Sequence, residues 1–303
     1  MNPDVILLRY GELSLKSAYV RKYFEMILLR NLKKAFTIEN VPCESRTERG
    51  RIYLSTKEIS KGIMILPRIF GIVSFSPATQ TTSTLQDMSE TAQHITKNIL
   101  NQQKSFAIRV TRVGSHPYTS QDVAIQIGND IVTSTHAKVD LNTPDLQLFI
   151  EIREKKSFLF TEKMKGVGGL PMGTQGIILV LVTQPSSLLA AWYLMRRGCN
   201  CVLVTTHDSN ENAIRPFLTT WYAEAEVLSI DRTSKQFLKQ LSKIISEKNC
   251  EAIATDDTFE TPGQTLAEIT QLKKNIDIPV LTPLLTMTKA EIEHQCVQRG
   301  ILL

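Results

Sequence analysis

A mixed α/β and α+β protein is what this sequence predicts, on three observations. Residues 4–76 alternate apolar runs and helical stripes in the order β-α-β-β-α-β, the pattern of a ferredoxin-like unit. Residues 105–162 hold a second small α+β set whose best signature is a hairpin about Glu154-Lys155. From Gly176 onward apolar strands alternate regularly with helical patterns, which calls for a parallel sheet covered on both faces. A chain of 303 residues accommodates two or three domains of roughly 100–200 residues.

Residues 4–9 read as a buried first strand, and Tyr10-Gly11-Glu12 turns out of it. Val20, Tyr23, Phe24, Ile27, Leu28, Leu32, Ala35 and Phe36 recur at helical spacing, so a helix is expected over 18–36 with Arg21, Lys22, Arg30, Lys33 and Lys34 mostly off the apolar stripe. Short strands at 43–46 and 51–54, a helix at 60–67 and a strand at 72–76 complete the first unit. Pro77 closes that last strand, having no N–H to give a ladder. A polar linker at 79–85 leads to a helix at 88–101 and a strand at 105–110. A Gly-Ser-His-Pro turn at 114–117, a helix at 120–133 and strands at 146–153 and 156–162 follow.

In the last part, strands are expected at 177–182, 201–206, 226–230, 251–255 and 279–281, and helices at 186–197, 212–223, 234–248, 263–274 and 288–299. Ligands in such sheets bind beyond the carboxyl ends of the strands, where the strand order reverses. The loops after Val182 and Thr206 are therefore the places to look. The domains so read are 1–78, 79–166 and 176–303, with a linker at 167–175.

Composition narrows the function classes. The apolar share of 42% and charged share of 21% are those of an ordinary globular protein. No apolar run approaches the roughly 18 residues of a membrane span. Met1-Asn2-Pro3-Asp4 does not open a signal peptide, and five scattered cysteines do not make a disulfide framework. A cytoplasmic protein with no membrane partner is expected. The net charge of +5 is unevenly placed: residues 1–173 carry 23 Lys and Arg against 16 Asp and Glu, and residues 174–303 carry 12 against 14. The basic excess thus lies wholly in the first part, which suggests a polyanion partner there.

Several segments in register then carry a resemblance. Leu8-Arg9-Tyr10-Gly11-Glu12-Leu13-Ser14-Leu15-Lys16, residues 69–77, Glu151-Ile152-Arg153-Glu154, Glu162 to Gly166, Gly169 to Thr174, and Pro279 to Leu284 with Lys289-Ala290-Glu291-Ile292 resemble the tRNA 4-thiouridine synthetase (tRNA sulfurtransferase) family. The resemblance implies an N-terminal ferredoxin-like domain, a THUMP domain and a C-terminal parallel-sheet domain of the adenine nucleotide α-hydrolase (PP-loop) type. It further implies that the first two domains hold tRNA, that the third adenylates a uridine, and that a persulfide displaces AMP. A homodimer is a family expectation.

Where the family's phosphate loop reads Ser-Gly-Gly-x-Asp-Ser, this chain has Val182, Thr183, Gln184, Pro185, Ser186 and Ser187. Glycines let backbone N–H groups approach a pyrophosphate; Thr183 and Gln184 add side chains there, Pro185 supplies no N–H, and a carboxylate for magnesium is gone. Ser186 is expected to act as a helix N-cap. Residual adenine contacts would fall on Val180, Leu181, Thr205, Thr206, His207 and Gln264. The family's persulfide cysteine lies past Leu303, so no catalytic cysteine is expected among these residues. Cys199-Asn200-Cys201 has poor chelate spacing, and no metal site is expected.

RNA contacts are expected at Arg9, Lys16, Arg21, Lys22, Arg109, Arg112, Arg153, Lys163 and Lys165, chiefly to phosphates and ribose hydroxyls. Arg109 and Arg112 share a face only if a bulge intervenes. The expected function is a tRNA-binding THUMP protein without autonomous sulfurtransferase activity and without cofactors, working beside a separate sulfur-donor or thiolation enzyme. An alternative is an active tRNA-adenylating sulfurtransferase that uses ATP, Mg2+ and an external sulfur donor. A third reading keeps the fold as a scaffold or small-molecule binder and abandons RNA.

Overall fold

The computed structural model describes residues 2–11, 17–48, 50–206, 211–231, 236–260, 270, 271, 274 and 276–303. The chain packs as two compact units. One comprises Met1–Tyr10, Glu39–Leu66 and Val73–Lys165; the other comprises Gly11–Ile38, Pro67–Ile72 and Gly166–Leu303.

In chain order the elements begin β1 (Val5–Tyr10), α1 (Ala18–Ile38), β2 (Glu44–Glu48), β3 (Arg51–Ser55), α2 (Ile59–Ile65), β4 (Ile72–Thr82), α3 (Leu85–Thr96), β5 (Ser105–Val113) and α4 (Ser120–Thr135). Then come β6 (Lys138–Val139), β7 (Leu146–Arg153), β8 (Lys156–Phe160) and β9 (Met164–Lys165). Their strands form one nine-stranded sheet among the described residues, in the order β2-β3-β1-β4-β8-β7-β5-β6 with β9 on β4. The two sequence-read α+β sets therefore share a sheet, and β4 joins them.

That joint corrects the expectation at Pro77. The strand does not stop there but runs on through most of the supposed linker to Thr82. Ser74 and Phe75 pair with Lys165 and Met164 of β9, and Thr79 to Thr82 pair with Leu159 to Lys156 of β8. Pro77 falls between these two ladders, so neither asks for its missing N–H.

Strand alternation gives this sheet two different faces. Leu148, Ile150 and Ile152 of β7 and Leu159 of β8 pack with Met88 and Ala92 of α3 and Val123, Ile127 and Ile131 of α4. A capping box starts α4, with Thr119 Oγ1 accepting from Asp122 N at 3.2 Å and Asp122 accepting from Thr119 N at 2.8 Å. On the opposite parity Phe149, Phe158 and Phe160 gather with Val5, Leu7, Tyr53 and Ala78.

The second unit holds α1 and the parallel sheet. The apolar stripe of α1 buries Phe24, Ile27, Leu28, Leu32, Ala35 and Phe36, as its spacing predicts, while Tyr23 of the same stripe is exposed. The remaining elements are β10 (Ile177–Val182), α5 (Leu188–Arg196), β11 (Asn200–Thr205), α6 (Glu211–Thr220), β12 (Glu226–Ser229), α7 (Phe237–Glu247), β13 (Ala252–Ala254), β14 (Val280–Leu281) and α8 (Lys289–Gln298). All strand pairs are parallel, in the order β12-β11-β10-β13-β14. Apolar clusters cover both faces, which is why the strands read as near-continuous apolar runs. Most of the helix expected at 263–274 lies outside the described residues.

The glycines before β10 have a steric reason. A Cβ on Gly166 would stand 2.2 Å from Ile72 O, and one on Gly169, at φ +75°, would stand 2.1 Å from Arg196 O. Only a residue without a side chain lets these backbones meet.

Candidate functional sites

The order β11-β10-β13 makes the carboxyl end of β10 the switch point of the parallel sheet, since the chain leaves β10 towards β11 and returns on its other side as β13. The turn that follows is closed upon itself. Thr183 N and Gln184 N each donate to Ser187 Oγ at 3.2 Å. Ser187 Oγ donates to Asp256 Oδ2 at 2.7 Å, Gln184 Nε2 to the same oxygen at 3.0 Å, and Thr183 Oγ1 lies 3.3 Å from both Asp256 oxygens. Residues 185–187 form a single 3-10 turn before α5, which begins at Leu188. Ser186, expected as the N-cap, caps nothing; the side chain that organises the turn is fully buried Ser187.

The two backbone N–H groups that precede the proline donate to Ser187, the proline has none, and the Asp256 carboxylate accepts from the side-chain donors of the turn. Val180 and Leu181 are core residues on opposite faces of β10. Thr205 is fully buried, and Thr206 Oγ1, at the end of β11, is buried without a hydrogen-bond partner among the described residues. His207 and Gln264 lie outside the described residues, as does Lys16. Among the described residues no group of three His, Cys, Asp or Glu is placed to hold a metal. Burial pushes the thiols of Cys199, Cys201, Cys250 and Cys296 up, that of Cys296 to about 11. Such thiols are poor nucleophiles at neutral pH.

The second candidate site lies on the sheet of the first unit, on the face opposite α3 and α4. Glu151, with 5% of its side chain exposed, receives Arg153 Nε at 2.7 Å, Arg51 Nε at 2.9 Å and Arg9 Nη2 at 3.4 Å. Arg9 also donates to Ser76 Oγ at 3.0 Å. Burial alone pushes the Glu151 carboxyl up, but Arg51, Arg153 and Arg9 together hold it below the usual carboxylate range. Arg9 stacks over the Phe160 ring at 5.0 Å, Lys163 over Phe149 at 4.0 Å and Arg46 over Tyr53 at 5.1 Å. Burial first, and then repulsion from Arg9, holds the Lys163 ammonium below the usual lysine range. Four cations thus surround one carboxylate, a local surplus of positive charge over aromatic rings.

Of the expected RNA contacts, the structure gathers Arg9, Arg153 and Lys163 here. Arg109 is level with Phe149 in an unbroken β5–β7 register, and Arg112 is level with Ile152. No bulge intervenes, so the two arginines point to opposite faces; Arg112 is bonded to Gly114 O and His116 on the helix side. Lys165 is exposed in β9, while Arg21 and Lys22 lie on α1 in the other unit. Sequence reasoning missed Arg51, Glu151 and Asp256. Glu151 did leave a signal, since a carboxylate flanked by Ile150 and Ile152 in a buried strand needs a counter-ion.

Three family models match successive parts of the chain: the ThiI ferredoxin-like domain at residues 5–76, the THUMP domain at 82–162 and the thiamine biosynthesis protein ThiI at 224–300. The sequence is 31% identical to a probable tRNA sulfurtransferase of Methanobrevibacter smithii, over 96% of this chain and 85% of that protein. It is 32% identical to a tRNA sulfurtransferase of Pyrobaculum aerophilum, over 98% of this chain and 67% of that one. A crystal structure from Pyrococcus horikoshii Ot3 superposes with a TM-score of 0.84 at 28% identity, covering 98% of this chain and 99% of that one. A 4-thiouridine synthetase solved with RNA and ATP has the same fold, with a TM-score of 0.82 at 21% identity, covering 99% and 85%.

Proposed function

The chain belongs to the tRNA sulfurtransferase family, and from that premise we propose that it is a tRNA-binding member that does not carry out ATP-dependent sulfur transfer by itself. One observation carries the binding half of this reading: Arg9, Arg51, Arg153 and Lys163 around the single carboxylate of Glu151, with Phe149 and Phe160 beneath them. Guanidinium and ammonium groups over aromatic rings suit a phosphodiester chain whose bases stack or splay. The closed turn at 183–187 supports the other half, because Thr183 N, Gln184 N and the side chains of Gln184 and Ser187 are already engaged within the protein. On this reading the protein works in the cytoplasm, presents tRNA to a separate sulfur-donor or thiolation enzyme, and needs no cofactor; a homodimer follows the family.

Titrating labelled tRNA at rising salt tests the proposal. Affinity should fall steeply with ionic strength, as phosphate contacts require, and a flat response would sink it in favour of a scaffold without RNA. The second reading, an active adenylating enzyme with ATP, Mg2+ and an external sulfur donor, is favoured by the buried, unpartnered hydroxyl of Thr206 at the switch point. Pyrophosphate release that depends on both tRNA and ATP would establish it instead.

A further inference from the structure

We infer that Asp256 is the resident anion of the turn after β10, and the residue that decides which charge this site admits. The inference rests on the reading that the site takes no nucleotide, and it names the group responsible. Parallel pairing delivers the carboxylate. Val180 of β10 is level with Ala254, the last residue of β13, and Asp256 follows two residues later in the segment that leaves the carboxyl end of that strand. There the donors of the turn converge. Ser187 and Gln184 reach one Asp256 oxygen, and Thr183 Oγ1 lies within reach of both.

Ser187 links the two layers of this network. Its oxygen takes the N–H groups of Thr183 and Gln184, and its hydroxyl proton goes to Asp256. The backbone donors that a phosphate would use are thus routed through one hydroxyl to an internal carboxylate. Its neighbour Asp257 does not play this part, because its carboxylate accepts from Thr255 Oγ1. A phosphate approaching the turn meets a like charge already holding the side chains of Thr183, Gln184 and Ser187. The site as built rejects phosphates and diphosphates. A neutral residue at 256 frees Thr183, Gln184 and Ser187 to hold a small anion.

The experiment is calorimetric titration of the full chain with inorganic pyrophosphate, alongside amide spectra of 15N-labelled protein. Wild type and the charge-preserving Asp256→Glu should show no saturable binding. Asp256→Asn, nearly isosteric, should bind at least tenfold more tightly than wild type and move the Thr183 and Gln184 amide resonances. Adding Gln184→Ala to that variant should cancel the gain. Asp256→Ala provides a second neutral variant if Asp256→Asn does not fold. A folded neutral variant as silent as wild type overturns the inference and leaves the proposed function standing. Pyrophosphate binding by wild type equal to that of Asp256→Asn also overturns it. Loss of the tRNA-binding reading alone would show as a gain in Asp256→Asn beside salt-independent RNA binding.

Discussion

Glu151 and Asp256 are each a carboxylate that gathers three neighbouring side chains, yet they leave opposite charges behind. Around Glu151 the three partners are arginines, and Lys163 stands nearby, so the face remains cationic. Around Asp256 the partners are a threonine, a glutamine and a serine, so the carboxylate's charge is shared out but not cancelled. On the proposed reading, the same functional group builds an anion-attracting face in one unit and an anion-rejecting turn in the other. What differs is only whether its hydrogen-bond donors carry charge.

The largest expected effect breaks the first half of this contrast. Glu151→Ala leaves three guanidiniums without the carboxylate they share, and should cost about 3–5 kcal/mol in urea unfolding. Its pH dependence has a defined sign. The folded-state pKa of Glu151 is depressed, so its stabilisation is complete above the ordinary carboxylate range and is lost as pH falls through the folded value. Wild type should therefore weaken in acid more steeply than Glu151→Gln, and parallel acid limbs would refute the pairing.

Asp256→Ala sharpens the second half. It leaves Ser187, Gln184 and Thr183 without their acceptor and should cost about 1–3 kcal/mol, measured as a shift in denaturant midpoint at unchanged slope. Lys163→Ala removes one exposed cation, and tRNA affinity should drop about tenfold or less, with the log–log salt slope shallower by about 1. Stability should hardly change, because Lys163 as a residue is exposed. The smallest effect separates Arg109 from Arg112. Arg109→Ala should weaken tRNA binding a few-fold, whereas Arg112→Ala should leave it unchanged, because its side chain is turned to the helix side. Equal losses at both positions would show that the RNA surface is not confined to one face.

How much of this was legible in advance depended on whether the signal was local. The αβ alternation after Gly176, the stripe of α1 and the hairpin about Glu154-Lys155 all express a period of two or 3.6 within a dozen residues. The structure keeps them with end shifts of a few residues. Pro77 misled because its meaning depends on where two other strands, β8 and β9, hand over the ladder. Ser186 misled because only the turn geometry shows that the neighbouring hydroxyl, that of Ser187, turns back to Thr183 N and Gln184 N and that neither serine side chain caps α5. Arg51 and Asp256 gave no signal of their own.

From the sequence alone follow the order of elements, the cationic bias of the first 173 residues and the loss of glycine from the turn after β10. These are properties of neighbours along the chain, and periodicity and composition record them. Tertiary structure decided that Arg9, Arg51 and Arg153, up to 144 positions apart, share Glu151, and that Asp256 reaches back 69 positions to Ser187. Strand pairing brings such residues together. Which side chains meet across a sheet is set by register, and register is a relation between distant segments that no local pattern contains.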